Sequence, residues 1–265
     1  VHAENKTIVF VSILPQQYIV SQIGTDLVDV RVMVGPGQSP ATYEPTPQQM
    51  VALSKADVYF RIGVPFESAW LDKIKLNNKN LIIVECCDLI SDLKAESNSH
   101  DTDYDPHVWT SPKNVIKIAE LIKNYLIKVD EKNTDSYITM EKEFKEKLLV
   151  LDKNIKDKIK NLKDRILIVA HPSWGHFSNE YGFTQVSMER EGKEIQARSL
   201  VRLIKMAKLN NIKAIFTQPQ FNDRAAKVIA NELNAEIIVL DPLALNYIEN
   251  MNIVTDSIVK GLARE

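Results

Sequence analysis

Residues 133–163 contain neither proline nor glycine, and their apolar side chains fall at Tyr137, Phe144, Leu148, Leu151, Ile155, Ile159 and Leu162. Steps of three, four and seven put these residues on one face of a helix. The remainder is dense in Lys, Glu and Asp, with opposite charges often three or four apart, which supports an exposed opposite face. At 1.5 Å per residue, such a helix is a rod of roughly 45 Å. This is too long for an ordinary packed helix. It fits either a coiled-coil strand or a spine between two lobes. The spine is the better reading, because strand and helix signals occur on both sides of it.

Before the rod, short β-rich runs occur at 7–13, 28–34, 58–62 and 81–84. Helical signals fall between them. Thr46-Pro47 and Ser111-Pro112 each pair a capping residue with proline at the first helical position. After the rod, similar runs occur at 166–170, 184–187, 213–216 and 236–240, separated by helix-compatible stretches such as 199–208 and 224–233. Strands alternating with helices imply parallel sheets. The expected fold is therefore α/β, with two lobes, each a mainly parallel sheet flanked by helices, joined by one long backbone helix. The boundaries read as 1–128, 129–163 and 164–265. Residues 88–106 are polar and acidic, which marks a loop.

Composition narrows the function classes. Thirty-three Lys plus Arg against thirty-five Asp plus Glu gives a net charge of -2, so no bulk field favours nucleic acid. No apolar run approaches the length of a membrane-spanning helix. The two cysteines, Cys86 and Cys87, are adjacent and cannot staple a fold. They read as small thiols at a strand end. The opening Val1-His2-Ala3 is compatible with the small-residue end of a removed secretory signal and equally with a cloning remnant.

Five histidines are present: His2, His100, His107, His171 and His176. His171 ends the run Ile166–Ala170, and a polar ring at the carboxyl end of a parallel strand faces the binding crevice of an α/β fold. His107 precedes a helix start, and Asp241 ends another strand run. Two imidazoles and a carboxylate form a ligand set for Zn²⁺ or Mn²⁺. On these residues alone, His107 and His171 read equally well as satisfied loop or cap histidines. His176 reads as a hydrogen-bonding helix residue, and His100 as part of a solvated acidic loop. Ser173 is near His171, but no nucleophile elbow and no His-Glu-x-x-His signature occurs. Glu189, Glu191 and Glu194, grouped with Arg190, Lys193 and Arg198, read as a salt-bridged closing loop. No enzyme is expected.

Several motifs carry a wider resemblance. They are Ser39-Pro40-Ala41-Thr42-Tyr43-Glu44-Pro45-Thr46-Pro47 with Ala56-Asp57, then Asp105-Pro106-His107-Val108-Trp109. They continue with Ala170-His171-Pro172-Ser173-Trp174-Gly175 and Tyr181-Gly182, Glu191-Gly192-Lys193-Glu194, and Leu240-Asp241-Pro242-Leu243. In this order, and flanking the rod, they resemble the zinc- or manganese-specific solute-binding proteins of ABC importers. The resemblance covers nearly the whole chain. It implies an extracytoplasmic monomer that holds a transported divalent ion, zinc before manganese, in a cleft between lobes. His107, His171 and Asp241 are the implied ligands, and the implied partner is a membrane permease. The family's first ligand is a histidine directly after a proline, and that position is Ala41 here. A methyl group cannot donate to a metal, so the remaining N, N, O set leaves a position open for water, Glu44, Gln38 or His100. The competing reading is a binding protein that has lost its metal and uses Arg61 and Lys193 to hold an anion or organic acid.

Overall fold

The computed structural model describes residues 6–88, 90, 105–190 and 193–263. His2, His100, Glu191 and Gly192 lie outside the described residues, and so do the side chains of Lys193 and Glu194. The chain divides into two compact units. The first takes the described parts of Val1–Ile90, Pro112–Val150 and Leu243–Tyr247, and the second those of Ser91–Ser111, Leu151–Pro242 and Ile248–Glu265.

The first unit contains β1 (Thr7–Val11), α1 (Leu14–Gly24), β2 (Val28–Val32), α2 (Pro47–Leu53), β3 (Val58–Arg61), α3 (Pro65–Asn77), β4 (Ile82–Glu85), α4 (Pro112–Val129) and the start of α5 (Thr134–Ile159). Its four strands are parallel, in the order β2-β1-β3-β4. The central strands are buried on both faces, which is why β1 and β3 read as apolar runs without alternation. Thr46 and Gln49 form a capping box at the start of α2, as the Thr46-Pro47 pair predicts.

Helix α5 passes from the first unit into the second and joins the two sheets. It spans 26 residues, about 39 Å. Its stripe of Tyr137, Phe144, Leu148, Leu151, Ile155 and Ile159 is buried throughout. Ile138, Leu149 and Val150, which fall off that stripe, are exposed.

The second unit contains the end of α5, β5 (Ile166–Val169), α6 (Gly175–Tyr181), β6 (Thr184–Ser187), β7 (Glu189–Arg190), β8 (Lys193–Glu194), α7 (Ala197–Leu209), β9 (Ala214–Thr217), α8 (Arg224–Leu233), β10 (Glu236–Val239) and most of α9 (Tyr247–Leu262). Its main sheet is parallel, in the order β10-β9-β5-β6. A core of Ile168, Ile215, Leu203, Ala207, Ile229 and Leu233 lies between this sheet and helices α7 and α8. The segment expected to be a salt-bridged loop is instead the antiparallel pair β7–β8, with Glu189 opposite Glu194 and Arg190 opposite Lys193.

The order of the second sheet reverses between β5 and β9. In open α/β sheets, ligands bind outside the carboxyl ends of the strands at such a reversal. His171 follows β5 at that point.

Candidate functional site

The segment 105–111 clusters with the second unit, so His107, His171 and Asp241 all belong to one compact body. The sequence had assigned His107 to the first lobe. Two bonds account for the placement. Trp109 Nε1 donates to the Pro242 carbonyl at 2.7 Å, and His176 Nε2 lies 3.0 Å from the Asp105 carbonyl oxygen. His176, buried on α6, is thus the structural histidine its position suggests.

His107 and His171 come together, with ring centroids 5.3 Å apart and planes at 77°. Each ring is anchored at Nδ1 by a carboxylate. His107 Nδ1 is 2.7 Å from Asp105 Oδ1, which also accepts the His107 backbone N–H at 3.0 Å. His171 Nδ1 is 2.6 Å from Glu189 Oε2. A carboxylate accepts only, so each Nδ1 carries the proton in the neutral ring and each Nε2 keeps its lone pair for a ligand.

The second anchor follows from sheet register. Val169 is paired with Ser187 across β5 and β6. Two residues further along each strand stand His171 and Glu189. Nothing in the local sequence around His171 shows this partner, which is 18 positions away. Asp105, two residues before His107, is the partner a sequence reading could have found.

Electrostatics act on one member of each pair. Burial, the largest influence on His171, holds its imidazole below the ordinary value, while Glu189 pulls the other way. Burial alone would push Asp105 up. Its charge interaction and hydrogen bonds with His107, together with nearby His176, bring it below the usual carboxylate range.

Asp241 stands apart from the histidine pair. Strand β9 lies between β5 and β10, so the strand ends leading to His171 and Asp241 are about 10 Å apart. The segment after β9 fills the gap. Phe221 stacks on His171 at 4.4 Å with planes 15° apart, Gln218 accepts from Ser173 Oγ at 2.8 Å, and Gln220 Nε2 donates to Asp241 Oδ1 at 2.8 Å. Among the described residues, no three His, Cys, Asp or Glu side chains gather into a set able to hold a metal ion. Sequence reasoning missed Gln220 and Phe221, and their apposition to the site depends on strand order.

The competing chemistries find little support. Ser173 is buried and donates to an amide, not to a base. Arg61, required by an anion-binding reading, is held by Glu85 at 2.7 Å and Glu67 at 3.2 Å. Glu67 is fully buried and also accepts the Ile62 and Gly63 backbone N–H groups. Among the described residues, no helix is long and apolar enough to cross a membrane.

Comparison with known proteins adds the following. The family model described as "ZnuA: Zinc-uptake complex component A periplasmic" matches residues 9–261. A crystal structure of a ZnuA deletion mutant with zinc bound is 36% identical, with a TM-score of 0.94 over 98% of this chain and 100% of that one. The manganese ABC transporter substrate-binding lipoprotein PsaA of Streptococcus mitis is 29% identical over 93% of this chain and 86% of that protein. The periplasmic zinc-binding protein TroA of Treponema pallidum shares the fold at 22% identity and a TM-score of 0.88, over 98% of this chain and 100% of that one. These relatives are named as binding and transport proteins, not as enzymes.

Proposed function

The chain belongs to the zinc-uptake complex component A family, and from that premise we propose that it is the extracytoplasmic solute-binding component of an ABC importer for a divalent metal ion. The cargo is zinc before manganese, and a membrane permease receives it. The observation that carries this reading is the pair of imidazoles 5.3 Å apart, each with Nδ1 tied to a carboxylate. Carboxylate–histidine pairs of this kind orient ligating rings and raise their basicity. Two imidazole nitrogens suit zinc better than manganese, which favours oxygen.

Asp241 is the third proposed ligand, and Ala41 marks the position where the family places a first histidine. With three protein donors, one position of a tetrahedral site is left to water or another side chain. A shell of this kind holds its ion less tightly than four protein ligands and gives it up faster, which suits a carrier.

The test is calorimetric titration of chelator-stripped protein with Zn²⁺ and Mn²⁺ at about pH 7.5, where imidazole is neutral. One-to-one binding that disappears in His171→Ala supports the reading. Binding that appears only in Ala41→His identifies a metal site disabled at one ligand. Silence in the parent and in Ala41→His overturns the metal reading.

A further inference from the structure

His171 leaves β5 between two neighbouring strands. On the β6 side, the Met188 backbone N–H donates to the Val169 carbonyl at 2.9 Å, and Glu189 follows with its carboxylate on His171 Nδ1. On the β9 side, the Ala170 N–H donates to the Phe216 carbonyl at 2.8 Å. A turn over 218–221 comes next, closed by the Phe221 N–H on the Gln218 carbonyl at 3.4 Å. Two contacts bind this turn to the His171 segment. The buried Gln218 side chain accepts the Ser173 hydroxyl at 2.8 Å, and the Ser173 backbone N–H donates to the His171 carbonyl at 2.8 Å. The half-buried Phe221 ring lies flat on the imidazole, 4.4 Å between centroids and 15° from parallel.

The two imidazoles are held differently. Asp105, two residues away, takes both the Nδ1 and the backbone N–H of His107 on one oxygen. His171 is tied at Nδ1 to a residue of another strand. A hydrogen bond tolerates about 30° of misalignment, and the histidine torsion about Cβ–Cγ is broad. The bond to Glu189 therefore fixes where Nδ1 sits better than it fixes the tilt of the ring. A flat side chain stacked on the imidazole face removes that tilt, and stacked aromatic pairs attract beyond their buried area. Resting on the metal-cargo reading above, and needing only His171 as a donor, we propose that Phe221 is a positioning residue for the ion. It sets the plane of the His171 ring and so the direction of the Nε2 lone pair. A phenyl ring carries no donor atom, so Phe221 acts through the histidine alone.

The test titrates the ion that the parent takes, Zn²⁺ or Mn²⁺, into chelator-stripped parent, Phe221→Leu and Phe221→Tyr by calorimetry, with thermal melts of the metal-free proteins. Leucine keeps an apolar side chain and loses the flat face, whereas tyrosine keeps the ring. The expected result is binding about tenfold weaker in Phe221→Leu and within about twofold of the parent in Phe221→Tyr. A merely packing role would lower the melting temperature of Phe221→Leu and leave the affinity of the folded protein unchanged. A Phe221→Leu protein that binds within about twofold of the parent, or a Phe221→Tyr protein as weak as Phe221→Leu, overturns the inference and leaves the metal reading standing. A parent that binds neither ion overturns both.

Discussion

Gly175 opens helix α6 directly beside the carboxylate that orients His107. A Cβ added there would lie 2.4 Å from Asp105 Oδ2. An ordinary contact is about 3.4 Å, so the carboxylate must retreat by about 1 Å. Its other oxygen holds His107 Nδ1 at 2.7 Å. A displacement of that size away from the ring stretches that bond to about 3.7 Å, where it no longer counts as a hydrogen bond. Gly175→Ala therefore removes the His107 anchor without deleting a polar group. Loss of such an anchor costs about 10- to 100-fold in metal affinity. Overpacking adds about 1–2 kcal/mol of destabilisation, a melting shift of about 2–8 °C. Zinc calorimetry at 25 °C, well below melting, with a parallel thermal melt, reads both effects. Gly182→Ala is the control. Gly182 caps α6 at a φ of 72°, with nothing within 4 Å of an added Cβ. It should cost about 1–2 kcal/mol in stability and leave zinc affinity alone. A Gly175→Ala protein that binds zinc as tightly as the parent would refute the idea that Asp105 orients the ring.

Glu189→Ala frees His171 Nδ1 and should lower zinc affinity about 10- to 100-fold, measured by the same calorimetry, with a small change in melting temperature. The His171 imidazole is held below its ordinary value of 6.5 in the folded protein. The unfolded chain therefore takes up this proton first, and metal-free protein should lose stability as pH falls from about 6.5 towards the folded value, by at most about 1.4 kcal/mol per pH unit. Urea melts at several pH values should show a shallower slope in His171→Gln. Thr46→Ala removes the α2 capping box and should cost about 1 kcal/mol with no effect on metal binding, which thermal melting and calorimetry separate.

The parts of this molecule that were legible from sequence are those set by local pattern. The β-branched run before His171, the Thr46-Pro47 cap and the stripe from Tyr137 to Ile159 each state their structure within one contiguous stretch of chain. Helix α9 was equally legible and overlooked. Its buried Tyr247, Met251, Val254, Ile258 and Leu262 fall at steps of three and four. The site was half legible. His107 and His171 stand out because they sit at element ends, but what surrounds them depends on register and strand order. Glu189 meets His171 because β5 and β6 pair as they do, and Phe221 and Gln220 meet His171 and Asp241 because β9 runs between their strands. A single sequence carries no local signal for either arrangement.

The two cysteines have a consequence for a metal carrier. Cys86 is fully buried, and the Cys87 thiol donates to the Ile62 carbonyl at 2.6 Å. Burial pushes both thiols well above their ordinary values. The thiolate is the form that attacks disulfides and captures soft metals. Kept as thiols, these two sulfurs are poor nucleophiles and poor metal donors. A metal ion that meets this protein is left to nitrogen and oxygen donors, which exchange it more readily than sulfur would.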